Sequence, residues 1–485
     1  MLSVIISREF LSNVLNLRFV VGLVLCVIIS VACVMILTHD YQQEMTDYNL
    51  RINLQDEFLS KYGKSAMITQ QKPPERFRPL IIGIPREANL GSFDDNPLPV
   101  LFPPLDFLFI VTIIMSLLAI LFSYDAITGE RQSGTLRLVI SNSVSRANIL
   151  LGKWIGGTAS LLIPFILSLL VGGLYISINP AIQWDGSAWA KFSLLIAASV
   201  TFISLFYLLG LMVSTFSRYS STSILTCLFL WVLLILVIPN MCPFISAQLY
   251  RIPSVNKIER QTNRLEGIER DELGRKLSRE VLEKFRQKYS SLFSEFESMD
   301  LGGLWGRCSP ANRKATQQRA AADSEFKAMM NAFREQCEQA WTKANRIQGE
   351  KADKLREDLN IKAAAQTKLA KSIACVSPYA NFVYLATDLT GTGLRSLDYF
   401  ERIKREYGNQ LWAYVEKKVQ DAMKKDPTFK TNSFLDVSDR PRFVFKEEPL
   451  RDKLDAVLPY WGILVLFNVV FFAAAFAGFM RYDVR

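Results

Sequence analysis

Six runs of uncharged or nearly uncharged residues, at 19–37, 105–123, 154–178, 192–213, 220–239 and 457–480, decide what this chain can fold into. A helix rises about 1.5 Å per residue, so roughly 17 to 25 residues cross a hydrocarbon core about 30 Å thick. Each run meets that length. Half of the residues are hydrophobic and 12% are aromatic, a composition that fits a soluble domain poorly. The expected fold is an all-α polytopic membrane protein with six transmembrane helices.

The first run starts too far from the N-terminus, and continues too long, for a secretory signal, so it reads as a retained anchor. Ahead of it, residues 1–18 space Val4, Phe10, Val14 and Leu17 among polar neighbours. That pattern predicts an amphipathic helix lying in the membrane interface; the alternative is a simple extension of the first span.

Orientation follows from Lys and Arg in the short loops. Arg8 and Arg18 precede the first span, Arg131, Arg137, Arg146 and Lys153 lie between the second and third, Arg218 follows the fourth, and Arg481 and Arg485 follow the sixth. With six spans all of these fall on one face, and the excess of short-loop cations marks it as cytoplasmic. Both termini and the loop 124–153 are thus expected inside, and the segments 38–104 and 241–456 outside. The cations of those long segments do not oppose this, because long domains translocate largely regardless of charge.

A net charge of +10 would suggest nucleic acid in a soluble protein. Here the cations are divided between short loops and an exterior segment in which Glu and Asp are interleaved, so no nucleic-acid partner is expected. Of the seven cysteines, Cys26, Cys33 and Cys227 lie within spans, where thiols pack as small apolar groups. Cys242, Cys308, Cys337 and Cys375 lie outside them, could form a disulfide in an oxidising compartment, and match no metal-site spacing.

The exterior segment 241–456 reads as mainly helical. Leu282, Phe285, Tyr289, Leu292 and Phe296 recur at helical steps, as do Phe326, Met330, Phe333, Cys337, Trp341 and Ala344, and the stretch MDLGGLWGRCSPAN between them carries helix stoppers. A helical hairpin or coiled-coil-like arm is expected, its apolar stripes serving packing. Beyond Lys371, SIACVSPYANFVYLATDLTGTGLRSLDYF is less charged and more aromatic, and is expected to fold back on the membrane surface and on the first exterior segment. RFRPLIIGIPREA and RPRFVFKEEP have short β-like character, a minor β component on the same side.

Enzymatic chemistry finds no support in the residues. The Gly63–Lys64–Ser65 triplet resembles the end of a phosphate loop, but Phe58 stands where its first glycine belongs. His39 is the only histidine, which removes the usual catalytic triads and multi-histidine metal sites. The acid pairs Glu447–Glu448 and Asp94–Asp95 have no partner that spacing identifies. Intramembrane polar groups are few, chiefly Asp106 and Asn468, fewer than an ion-coupled carrier usually carries.

What remains is YDAITGERQSGTLRLVISNSVSRANILLGKW, residues 124–154, which interrupts two apolar runs with six ionisable residues. Asp125 and Glu130 flank a helical turn, Gly134 supplies a turn and Thr135 a cap; an apolar patch from Leu136 and a Ser/Asn turn follow. A merely solvated basic loop would need neither the patch nor the Gly-Thr turn. At these residues the chain resembles permease subunits of ABC transporters of the type-2 exporter family. Their loop after the second span commonly reads as an acid, then Glu, then Gly-Thr-Leu, then a small-residue turn with Arg, then Gly-Lys. The matching positions are Asp125, Glu130, Gly134–Thr135–Leu136, Ser145–Arg146 and Gly152–Lys153. The large exterior insert departs from compact members, while SPYANFVYLATDLTGTG looks like a segment of a bacterial subgroup that carries such domains.

The resemblance implies a bacterial cytoplasmic (inner) membrane protein that is not itself an enzyme and holds no cofactor. ATP and Mg would belong to a separate ABC ATPase subunit, on which each of two permeases, in a homo- or heterodimer, rests its loop. It implies that Asp125, Glu130 and Arg146 make charged contacts there, that Gly134, Thr135 and Leu136 fix the loop, and that Lys153 anchors the third span. Two functions follow: export, or conformational work by the exterior helices on an extracytoplasmic protein partner, with nothing translocated. Membrane lipids are partners in either case.

Overall fold

A computed structural model of the chain describes residues 2–62, 70–83, 105–136, 138, 145–179, 182, 184–289, 324–425 and 434–481. The Gly63–Ser65 triplet, Asp94–Asp95, Arg137, Leu292, Phe296, Cys308 and the stretch 299–312 lie outside the described residues, as does the side chain of Phe326. Among those described there are helices and no strands. Six helices among the described residues are long and apolar enough to cross a membrane. They belong to an all-α integral membrane protein.

The chain divides into two compact units, residues 1–241 with 374–485, and residues 242–373. The first begins with α1 (Leu2–Val14) and α2 (Leu17–Tyr62). Next come α3 (Phe107–Gln132), α4 (Arg146–Ile178), α5 (Gly186–Phe216) and α6 (Ser220–Leu249), the last crossing into the second unit. The 46-residue α2 runs well past the expected end of the first span, because no Gly or Pro follows Leu37 until Gly63. The second unit holds α7 (Val255–Arg264), α8 (Arg270–Lys288) and nearly all of α9 (Ser324–Ala374). The chain then returns to the first unit with α10 (Pro378–Thr390), α11 (Leu394–Lys425) and α12 (Leu450–Met480).

In the first unit the core is one continuous apolar cluster. Small residues let its helices approach closely, as lipid-embedded packing requires: Gly157 of α4 faces the Tyr207 ring, and Gly210 of α5 faces Ser123. One set of polar side chains within the spans is linked in a chain of hydrogen bonds. Trp154 Nε1 donates to Ser204 Oγ at 2.9 Å, Ser204 Oγ donates to Asn468 Oδ1 at 2.9 Å, and Asn468 Nδ2 donates to the Thr201 carbonyl at 3.1 Å. Asn468 thus ties α12 to α5.

α10 does not lie on the bundle surface as its composition suggested. Phe382 is fully buried and stacks on Phe202 of α5 at 4.8 Å, and Tyr384 meets Tyr460 of α12. With 13 residues the helix is about 20 Å long, too short to cross. Its N-cap Ser377 donates to the Leu234 carbonyl at 2.5 Å. That carbonyl lies in the π-turn Val232–Val237, where its i+5 partner would be Pro239, which has no N–H to give. After α10 the turn at Gly391–Gly393 packs against Gly83, and Lys72 donates to Ser396 at 2.7 Å, so the fold-back onto segment 38–104 is present.

The β expectation fails on both segments among the described residues. Residues 76–80 form turns, and residues 441–449 take no regular secondary structure. The alternating aromatics serve packing instead: Phe443 meets Tyr407 at 5.2 Å and Phe445 meets Phe400 at 5.9 Å, both on α11.

The second unit is an antiparallel helical arm, as the apolar stripes predict. Phe285 of α8 meets Phe333 of α9 edge-on at 5.4 Å, Gly274 faces Trp341, and Glu266 pairs with Arg356 at 2.7 Å. Farther along, Ser246 Oγ donates to the Gln366 carbonyl at 2.8 Å. Pairing of rising with falling residue numbers is what an antiparallel hairpin requires. No disulfide joins Cys242, Cys337 and Cys375 to one another.

The end of the bundle opposite loop 124–153, called here the far end, is stitched by ion pairs. Arg76 meets Asp185 at 2.7 Å, Lys191 meets Glu447 at 2.7 Å and Arg395 meets Glu448 at 2.5 Å. Hydrogen bonds from the Ala188 amide, Arg76 and Ser187 hold the Asp185 carboxyl well below its usual range. Burial would raise Glu447, but Lys191, Lys453 and Arg76 outweigh it and bring it below its ordinary value of 4.5. Both groups ionise more readily folded than unfolded, so their stabilisation is complete above about pH 4.5 and is lost as pH falls through the folded values. Thermal unfolding in detergent should therefore show a midpoint that drops as pH is lowered from 5 toward 3; a flat midpoint would contradict these pairings.

Candidate functional site

The loop between α3 and α4 is built against every other membrane helix of the bundle. At its start, Ser214 of α5 accepts from the Ile127 and Thr128 amides at 3.0 and 3.1 Å. It thereby caps the short terminal helix Thr128–Gln132 of α3, whose own N-cap residue, Ile127, has no side chain able to do so. From α6, Ser223 Oγ donates to the Tyr124 carbonyl at 2.7 Å and Ser220 Oγ to Gln132 Oε1 at 2.9 Å. From α2, Arg18 donates to Asp125 at 3.0 Å, to the Tyr124 hydroxyl at 3.0 Å and to the Leu121 carbonyl at 3.1 Å.

The centre of the site is a buried triad. Lys153 of α4 is almost wholly buried; its Nζ meets Glu130 at 3.0 Å and Glu9 of α1 at 3.2 Å. One ammonium between two carboxylates joins the loop, α4 and the N-terminal helix. Away from water such a cluster is worth far more, and is far more costly to break, than the partly exposed Arg18–Asp125 pair, whose value lies near 1 kcal/mol or less.

α1, expected at the interface, is held along α4 by this triad and by two close approaches. A Cβ on Gly152 would stand 2.6 Å from Ile5 Cγ2, and one on Gly156 would stand 2.8 Å from the Ile6 carbonyl oxygen. Asn13 continues the contact by donating to Ser160 at 3.3 Å. The two helices therefore run side by side in the same direction through a small-xxx-small step.

Gly134 closes the described turn with φ of +74°, and no atom lies within 4 Å of where its Cβ would be. Its requirement is the left-handed backbone, not space. Thr135 donates to the Glu130 carbonyl at 3.3 Å, and Leu136 is fully buried in the core. Gln132, Ser133 and Gly134 are left exposed. Arg146, the first residue of α4, donates to the Phe479 and Met480 carbonyls at 3.1 and 2.9 Å. A guanidinium on the last carbonyls of α12 matches the negative end of that helix.

All seven residues singled out by sequence thus converge on one end of the bundle. The charged four have intramolecular partners. Sequence reasoning missed Glu9 and Ser214, and treated Arg18 only as a topological charge. The Gly152–Gly156 spacing was the available sign that a helix docks there.

Over 47 residues, which are 10% of this chain, the sequence is 47% identical to the probable ABC transporter permease protein NosY of Stutzerimonas stutzeri. Over 47 residues it is 45% identical to the probable ABC transporter permease protein NosY of Pseudomonas aeruginosa strain PAO1. These matches span 17% of the length of each curated relative. A family model described as ABC-2 family transporter protein matches residues 3–484. With a match over nearly its whole length, six candidate spans and a braced loop between the second and third, the chain belongs to the ABC-2 family of transporter proteins.

Proposed function

We propose that this chain is the permease subunit of an ABC transporter and that loop 124–153 is where a separate ATPase subunit acts on it. The observation that carries this reading is connectivity. The loop joins α3 to α4 directly and is tied to α1 and α2 by Glu9 and Arg18, to α5 and α6 by Ser214 and Ser223, and to α12 by Arg146. A push on the exposed Gln132–Gly134 tip cannot move the loop without loading all six spans. Asp125, Glu130, Arg146 and Lys153 then act as transmission braces, with Gly134, Thr135 and Leu136 holding the tip in shape. In this reading two permeases sit on two ATPase subunits in the cytoplasm, ATP and Mg bind in the ATPases, and closure of the ATPases shifts the bundle between states.

A second output is favoured by the arm. Its α9 is an unbroken helix of 51 residues, about 75 Å long, with its own packed partner in α8. Such an element suits conformational work on an extracytoplasmic protein as well as export of a substrate. Both outputs share the same input.

Purification with the co-expressed ATPase of the gene neighbourhood should give a two-to-two complex. Glu130→Lys should leave that complex assembled while the permease no longer alters the ATPase rate. Undiminished coupling in the variant, or a permease that never retains an ATPase, would sink the assignment.

A further inference from the structure

Two membrane helices of the first unit, α3 and α6, each contain a π-turn, and the reasons differ. In α6 the turn Val232–Val237 has a local cause. The Ile238 amide reaches back five residues to the Leu233 carbonyl, and Pro239 has no N–H with which to continue an α-helical ladder. In α3 the turn Ile110–Met115 has no such cause. Neither Gly nor Pro occurs from Leu105 to Thr128, so nothing local stops those residues from closing an unbroken α-helix.

Side chains hold the α3 turn instead. In an α-helix the Thr112 carbonyl would accept from the Ser116 amide. Here that amide turns to the Ile113 carbonyl, and the Ser116 hydroxyl takes the Thr112 carbonyl in its place. Hydroxyls bonded back four residues compete with the ladder and bend helices. Ser116 is fully buried, and Trp231, the residue just before the π-turn of α6, donates its Nε1 to the Ser116 hydroxyl at 2.8 Å. The two π-turns therefore lie side by side and share a hydrogen bond.

That bond is the last rung of a series that starts at the loop. Ser220 donates to Gln132, Ser223 to the Tyr124 carbonyl and Trp231 to Ser116, which ties the loop-side parts of α3 and α6 into one antiparallel pair. The first turn of α3 is fixed separately. Asp106 accepts from the Phe109 amide at 3.0 Å and the Ile82 amide at 3.3 Å, and the Phe107 amide donates to the Leu80 carbonyl at 2.9 Å. Between that anchored turn and the part carried by the loop stands the π-turn, the kind of break at which helices kink.

We propose that the two π-turns form one hinge, across which the loop-side parts of α3 and α6 swing as a single body when loop 124–153 is pressed, with the Trp231–Ser116 bond holding the turns together. This rests on the reading of that loop as the surface on which the ATPase acts. Ser377 at the head of α10 receives the motion, since its hydroxyl is bonded to the Leu234 carbonyl within the α6 turn.

A π-turn holds one residue more than the α-turn it replaces, so deleting one residue there closes an α-helix whose two sides face as before. The test uses the full chain with the co-expressed ATPase, and reads assembly, the thermal midpoint in detergent and the change that the permease makes in the ATPase rate. Deletion of the half-buried Ile113 should keep the complex and a midpoint close to that of the wild type, while the effect on the ATPase rate is lost. Deletion of Leu121, in the regular part of α3, should lower the midpoint much further, because it turns one side of the helix by about 100° against the other. Trp231→Phe, which removes one buried hydrogen bond, should keep the complex and weaken the effect on the rate about fivefold. A chain without Ile113 that melts as low as one without Leu121, or that couples as the wild type does, would overturn the hinge and leave the role of the loop standing, as would wild-type coupling in Trp231→Phe. A wild-type chain that binds the ATPase without altering its rate would overturn the reading of the loop, and the hinge with it.

Discussion

Lys153→Met is expected to cost about 3–5 kcal/mol, the toll of leaving buried charge uncompensated, and to release both the loop and α1. Without the ammonium, Glu130 and Glu9 face each other across the vacated position. Glu130 Oε2 is already buried without a hydrogen-bond partner, so no spare donor can relieve it. Thermal unfolding in detergent checks the magnitude. Neutralising the partners as well, in a Glu9→Gln, Glu130→Gln, Lys153→Met chain, should recover most of the stability, because removing all three charges is far cheaper than stranding two. A single substitution that leaves the midpoint unchanged would mean that the triad is not the joint described here.

The second large effect belongs to Gly156→Val. The obstructing atom is the backbone carbonyl of Ile6, with Glu9 Cβ 3.0 Å away, and backbone cannot swing aside as a side-chain end can. α1 must leave its seat on α4. Limited proteolysis should then cut within the first 16 residues of the variant and spare the wild type. Gly152→Ala should be milder, because it meets only the Ile5 side chain, which can move. Gly173→Ala, where nothing lies within 4 Å, serves as the neutral control on the same helix. Equal resistance to protease in Gly156→Val and wild type would contradict the docking of α1.

The spans and the loop were legible in the sequence for different physical reasons. A hydrocarbon core demands an unbroken apolar run, and that demand is one-dimensional, so run length alone finds the helices. The loop residues stood out as charges between such runs. Their partners did not, because Glu9 and Lys153 are 144 positions apart and Arg18 and Asp125 are 107, and no local pattern encodes such pairings. α10 was misjudged because its polarity masks its burial. Asn381, Thr387 and Thr390 are buried, yet their donor groups are spent on nearby carbonyls of Ser377, Val383 and Ala386, which lowers the cost of burying the helix in the bundle. The β expectation failed because alternation at Phe443 and Phe445 reports one face packed on α11, which an irregular strip lying on a helix shows as well as a strand does.

The central claim is that the exposed tip of loop 124–153 is the surface on which the ATPase acts. A photo-crosslinking residue placed at Ser133 tests it in the complex with the co-expressed ATPase, with Ser187 at the far end as the comparison site, since both positions are exposed. The account predicts an ATPase adduct at Ser133 and none at Ser187. An adduct at Ser187 with none at Ser133 would contradict it.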